Sequence, residues 1–352
     1  MNLSVSRDLL PETIDERSTF LKRYFCEMAA TVTAVDGHWS IRLFRPDEAE
    51  FYVDPNLDQG LEWWSRNFGK VDITEIPLAL HRTKGWQLSL NDSWTLYAWS
   101  RWLQDCSNST QIAECVTVLH LDDHDDLMTP RIILDDSTGF RDLITGAAIS
   151  LRQPKTVAAA VTSGAIGIGS FMAPFLHKFP NVHVRHLCST EYTAERKGPH
   201  VVLPVEVLDE LLAPGSMRPA LRLAKVDAAD PLEKPEVHPY FVTDDLDAWL
   251  KGLPSGPILL HIDMDYFNNR FNGDSDWVDE GPKYDPPLQD VLARIDRVFE
   301  SLENAGVAER IADFAAALSP GFFPADLWEP SIARIDAHVK RLLAKGKWTS
   351  RE

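Results

Sequence analysis

Two strand-like apolar runs each end in a cluster of carboxylates. Val116 to Leu121 runs into Asp122, Asp123, His124, Asp125 and Asp126, and Pro257 to Ile262 runs into Asp263, Met264 and Asp265. In an extended chain successive side chains alternate faces, so Asp122, His124 and Asp126 share one side, as do Asp263 and Asp265. Acids gathered at the end of a buried strand cannot all stay ionised in a low-dielectric site without cations, so the spacing predicts two divalent metals. A solvated acidic turn is the common fate of a charge run, but two such clusters after two buried strands favour ligation. Asp123 and Asp125 are expected on the opposite side, as supporting or surface charges. His120 and His261 lie on the ligand side but one step deeper, and are expected as hydrogen-bonded core histidines rather than ligands.

The remainder of the chain frames these clusters with an α/β fold. With 352 residues, 44% of them hydrophobic, it can bury a full core. From residue 71 onward short β-branched runs alternate with helical patterns, which predicts a mainly parallel sheet. Strands are expected at 73–80, 116–121, 156–161, 182–187, 258–262 and 311–318. Helices are expected from Leu288 to Leu302, stopped by Gly306, and from Ile332 to Leu343. Residues 1–70 read as an N-terminal extension on a domain spanning 71–352, and the Pro-rich piece from Pro231 to Pro239 as an exposed loop. In open parallel sheets ligands bind just beyond the carboxyl ends of the strands, where both acidic clusters fall.

Composition narrows the partners. A formal charge of -18 disfavours nucleic acid and anionic membranes and attracts a cationic substrate. No apolar run is long enough to cross a bilayer and no signal peptide opens the chain, so a cytoplasmic protein is expected. Cys26, Cys106, Cys115 and Cys188 form no C-x-x-C pair and are expected as free thiols. Oligomerisation stays open.

Asp122-x-His124-x-Asp126 followed by Met-Thr-Pro130, with Asp263-x-Asp265 after a second strand, resembles the binuclear manganese signature of the arginase and deacetylase superfamily. The phrases 118–127, 260–267 and Leu318-Ser-Pro-Gly-Phe322 are similar to an arginase-like branch that includes peptide arginases, which convert arginine side chains of ribosomally made precursor peptides to ornithine and urea. The resemblance implies a single arginase-like three-layer α/β/α domain with a mainly parallel sheet, holding two Mn²⁺ ions, with Fe²⁺, Co²⁺ or Zn²⁺ as alternatives. It implies that Asp122 and Asp263 bridge the ions, that Asp126 completes one, and that His124 and Asp265 complete the other. A hydroxide shared between the ions would attack the guanidinium carbon, and Asp126 would pass a proton to the leaving amine.

One position departs from the pattern: Asp92, in Leu90-Asn-Asp-Ser-Trp, stands where arginases place a histidine. It is expected either as a sixth ligand or as a helix N-cap. Glu191, Asp274 and Asp276 are candidate acceptors for the guanidinium. The 162–170 loop with Gly167 is expected as a substrate wall or a tight turn, Ser319 at the rim, and 268–277 as a lid or a surface excursion. The implied activity is a peptide arginase acting on an arginine-containing peptide. The alternatives are hydrolysis of a small guanidine, agmatine or an amide, and a metal- or peptide-binding protein without turnover. No His-His pair of the deacetylase kind occurs, which weakens the amide reading.

Overall fold

Uninterrupted runs of Val, Leu, Ile and Ala, with no polar face to offer water, become the middle of a sheet covered on both sides. The computed structural model describes the chain except residues 27, 48–51, 107–114, 138, 190–192, 227–236, 274–284, 347 and 349–352. The N-terminal part forms a three-stranded antiparallel sheet from β1 (Asn2–Ser6), β2 (Ala29–Val35) and β3 (His38–Phe44), in the order β1-β3-β2, with helix α1 (Ile14–Tyr24) beside it.

The principal sheet has nine strands: β4 (Leu80–Thr83), β5 (Trp86–Ser89), β6 (Val116–Leu121), β10 (Val182–Leu187), β11 (Gly198–Leu208), β12 (Met217–Lys225), β13 (His238–Thr243), β14 (Ile258–Asp263) and β15 (Ile311–Ala317). Their order is β12-β11-β13-β10-β6-β14-β15-β5-β4. The strands from β13 across to β5 run parallel, and antiparallel pairs finish both edges. Three short strands, β7 (Ile132–Asp135), β8 (Gly139–Asp142) and β9 (Ala148–Ile149), make a separate antiparallel sheet.

Side-chain alternation divides the core in two. Leu119, Leu121, Leu260 and Ile262 face α2 (Leu57–Phe68), and on the same face lie α6 (Leu246–Leu250), α7 (Leu288–Asn304) and α8 (Trp328–Ala344). Val116, Val118 and Leu259 face the opposite cluster, which holds α3 (Thr95–Asp105), α4 (Pro154–Ser163), α5 (Met172–Lys178) and residues of the N-terminal sheet. The result is a mixed α/β fold with a large, mostly parallel central sheet between helices. On α7 the i, i+3, i+4 spacing buries Val291, Ile295, Val298, Phe299 and Leu302. Each such side chain contributes about 1.5–3 kcal/mol relative to exposure. Trp63 and Trp64 of α2 belong to the same buried cluster as β14 and β15.

Two expected strands are helices. Residues 73–80 begin as a 3₁₀ helix, Ile73–Leu78, because Asp72 and Glu75 form a capping box and Pro77 removes a ladder donor; the strand starts only at Leu80. Residues 156–161 lie inside α4, which Pro154 opens and Gly164, at φ +83, closes. Of the expected Pro-rich loop, 231–236 lie outside the described residues, while Pro239 is in β13.

Candidate metal centre

Strands β6 and β14 are neighbours whose register pairs His120 with His261 and Leu121 with Ile262, so Asp122 and Asp263 emerge side by side. Each then starts the same turn. Asp122 Oδ1 accepts from the His124 N–H at 2.6 Å, and Asp263 Oδ1 accepts from the Asp265 N–H at 3.2 Å. The two turns interlock: Asp265 Oδ1 accepts from the Asp123 N–H at 3.2 Å, and its Oδ2 lies 2.7 Å from His124 Nδ1. Convergence therefore comes from paired Asx turns beyond the strands rather than from strand alternation, which ends at Leu121.

That difference corrects the expected direction of two acids. Asp123 is buried, accepts from the Ser189 N–H at 2.9 Å and lines the same pocket. Asp125 lines it too, held by Arg196 Nη1 at 2.6 Å. Backbone strain is concentrated here as well. Asp126 (φ 52), Asn272 (φ 49) and Ser319 (φ 45) are three of the four non-glycine residues with positive φ among the described residues, and all three line the pocket. Such conformations cost about 1–3 kcal/mol each and persist where the surroundings over-determine them.

Asp92 belongs to this site. It is buried, and its Oδ2 accepts from the Gly169 N–H at 2.7 Å. It caps no helix: Asn91 is the N-cap of the 3₁₀ turn Asp92–Trp94 and Trp94 that of α3. Ser319 donates its hydroxyl to Asp263 Oδ2 at 2.5 Å, so it orients a carboxylate instead of standing open at the rim. Gly167 is turned inward, its N–H and carbonyl both bonded to the Ser170 hydroxyl; Ile168 and Gly169 line the pocket in its place. Glu191, Asp274 and Asp276 lie outside the described residues. The described part of the expected lid packs down, with the Gly273 N–H donating to the Gly321 carbonyl at 2.8 Å.

Among the described residues two groups bring ligand atoms within 4.8 Å of one another: His120, Asp122, Asp126 and His261; and Asp122, His124 and Asp265. Asp122 is common to both. Burial, with the neighbouring charges of Asp265 and Asp263, pushes the Asp122 carboxyl far above the usual range. Burial and Asp122 do the same to Asp126, and burial, Asp265 and Asp92 to Asp263. Asp123 is raised to about 7 by burial and Asp265. Burial would lower His124, but Asp265 and the other acids outweigh it and raise it to about 10. Asp122 Oδ2 and Asp126 Oδ2 are buried and receive no hydrogen bond from a described N–H or O–H donor. A set of carboxylates and imidazoles carrying buried oxygens in need of a positive partner fits a borderline divalent cation, and this cluster can hold a metal ion.

Above it lies an open pocket of about 550 Å³, rimmed by Leu127, Met128, Ile168 and Phe322. Asn272 Oδ1 lies 3.4 Å from His124 Nε2, and the Phe322 ring meets the His124 imidazole edge to face at 5.1 Å. Arg196 and Ser189 are neighbours of the site that the sequence does not mark, whereas Asn272 lies in the 268–277 segment expected as a lid or a surface excursion. Ser189 and Arg196 both come from the connection between β10 and β11, and Asn272 from the segment after β14. No described tryptophan lines the pocket; Trp63, Trp64, Trp99, Trp102, Trp249 and Trp328 are core residues.

Set against known protein families and curated proteins, the chain matches no family model and no curated sequence. Among the described residues no helix is long and apolar enough to cross a membrane, and all four cysteines are free thiols.

Proposed function

We propose that the chain is a binuclear metal-dependent hydrolase of arginase type, a peptide arginase that converts arginine side chains of a precursor peptide to ornithine and releases urea. The observation that carries this reading is that Asp92, His124, Asp126, Asp263 and Asp265 line one open pocket, while the buried Asp122 is common to two ligand groups that include His124, Asp126 and Asp265. Two Mn²⁺ ions suit that donor set best, with Fe²⁺, Co²⁺ or Zn²⁺ as substitutes. When bound they would supply a nucleophile from water at neutral pH and stabilise the developing charge.

The chain's own residues do the rest. Asp126, a buried carboxyl pushed above the usual range by burial and by Asp122, takes a proton from the attacking water and passes it to the amine as the guanidinium carbon–nitrogen bond breaks. His124 is oriented by Asn272 on one nitrogen and directed to Asp265 on the other. The buried oxygens Asp123 Oδ2 and Asp125 Oδ1 receive no hydrogen bond from a described donor. They are acceptors for guanidinium N–H groups. The pocket volume is in the range of sites that take drug-sized ligands, which favours a peptide segment over free arginine or agmatine.

A second reading, a metal- or peptide-binding protein without turnover, is favoured by one observation: Asp92 adds a negative charge where the pattern has a neutral imidazole, which lowers Lewis acidity. Urea release from pooled arginine peptides, free arginine and agmatine decides between them, with manganese-loaded protein and an Asp263→Asn control. Urea from peptides alone, lost in the control, supports the peptide arginase. No urea from any member, with metal bound, supports the binder.

A further inference from the structure

Beneath the acidic pocket three histidines occupy one rung of the sheet. The parallel register sets His186 of β10 beside His120 of β6, and His120 beside His261 of β14. All three are buried, with neighbouring ring centroids 4.6 and 5.1 Å apart. Buried imidazoles need partners, and the partners reveal where each hydrogen sits. His186 Nε2 meets the Asp122 main-chain carbonyl at 2.9 Å, and His120 Nε2 meets the His124 carbonyl at 3.0 Å. A carbonyl only accepts, so both Nε2 atoms carry hydrogen and donate. His120 Nδ1 is then an acceptor, and His261 Nδ1, 2.9 Å away, donates to it. Behind His186, the Tyr240 hydroxyl donates to Nδ1 at 2.9 Å. Burial lowers all three imidazoles, His261 to about 3, in keeping with neutral rings.

The two carbonyls held in this way belong to the first and third residues of the turn whose side chains are the ligands. We propose that His186, His120 and His261 form a positioning rung that fixes the main chain at Asp122 and His124, so that their side chains meet the metal, without ligating it themselves. The proposal rests on the metal-centre reading. His120 Nε2 also lies 3.8 Å from Asp122 Oδ2 and 3.9 Å from Asp126 Oδ2, so a ligand role is the competitor. The 3.0 Å bond to the His124 carbonyl engages that same nitrogen, and this favours positioning.

The test compares wild type with His120→Phe, His120→Gln and Tyr240→Phe. Mn²⁺ affinity and stoichiometry are read by equilibrium dialysis, nitrogen coupling by electron spin-echo spectroscopy of the bound Mn²⁺, and folding by the metal-free melting curve. The expected result is unchanged stoichiometry and nitrogen coupling in every variant. Affinity falls about 10- to 100-fold in His120→Phe, the effect typical of losing a group that orients a ligand. His120→Gln, whose amide can donate to the same carbonyl, recovers most of it. Tyr240→Phe, the mildest change, lowers affinity less and keeps the test alive should His120→Phe not fold. Affinity unchanged in all folded variants overturns the proposal, and so does loss of one ion together with one nitrogen coupling. Wild type that binds no Mn²⁺ overturns the metal centre and with it the proposed hydrolysis; wild type that binds Mn²⁺ leaves the rung testable whether or not urea is released.

Discussion

Replacing Asp122 by asparagine separates a metal centre from an ordinary acidic turn, because it acts in opposite directions on the metal-free and metal-loaded protein. Asp122 Oδ1 accepts from the His124 N–H, a bond an amide oxygen keeps. At Oδ2 the new amide N–H faces the Asp126 carboxyl, which lies within 4.8 Å and ionises more readily once relieved of the Asp122 charge that helps to raise it. A hydrogen bond to a charged acceptor is worth about 1.5–3 kcal/mol. Unfolding entropy of about 2.1 cal/mol/K per residue gives about 0.7 kcal/mol/K for 352 residues, so the metal-free variant should melt about 2–4 °C higher than wild type. Mn²⁺ at roughly 100 times its Kd stabilises wild type by about 2.7 kcal/mol per ion, or about 4 °C for one ion and about 7 °C for two. The variant, having lost the carboxylate common to both ligand groups, should shift by less than about 1 °C. Calorimetry at pH 7.5 with chelator and with Mn²⁺ reads both effects. A variant that melts lower without metal, yet keeps the full Mn²⁺ shift, refutes the reasoning.

Three further outcomes follow. Asp122, Asp126 and Asp263 are raised, Asp123 to about 7 and His124 to about 10, so the metal-free folded state holds protons that the unfolded chain releases. Below about pH 6.5 the buried histidines oppose this trend by charging in the unfolded state, but above it they are silent, so metal-free stability should fall from about pH 6.5 to 8. The Mn²⁺ shift should grow over the same range, and thermal melts at fixed ionic strength check both. In Gly273→Ala the φ of +65 and the Phe322 ring 2.7 Å from the new Cβ should cost about 1–3 kcal/mol by chemical denaturation. Displacement of Phe322 should lower peptide affinity; unchanged binding removes Phe322 from the pocket wall. Tyr24→Phe loses the 2.6 Å bond to Asp209, which keeps Arg218 and the N–H groups of Leu211 and Ala213. A cost of about 1–2 kcal/mol with Mn²⁺ affinity unchanged is the expected result.

The parallel sheet was legible because its central strands are mostly apolar, β-branched runs, as at Val116 to Leu121 and Ile258 to Ile262, and because a strong 3.6 period marks α7. Residues 156–161 misled because Val and Thr among alanines have no decisive period; the evidence against a strand lay outside, in Pro154 and Gly164. The acidic clusters were legible as a site but not as a geometry. Alternation sent Asp123 and Asp125 away, whereas the chain leaves the strand at Leu121 and the turn brings both back. His120 and His261 were legible as buried, hydrogen-bonded histidines, but their partnership with His186 depends on the register of three strands, which no local pattern contains. Arg196 was invisible for the same reason, whereas Asn272 lies in the 268–277 segment expected as a lid or a surface excursion.

The most direct measurement is the metal content of the Mn²⁺-loaded protein, with the electron paramagnetic resonance spectrum of the bound ions. Two ions per chain with the multiline signature of spin coupling, both lost in Asp122→Asn, are the predicted result. A single uncoupled ion, or none, would contradict the binuclear centre on which the proposed hydrolysis depends.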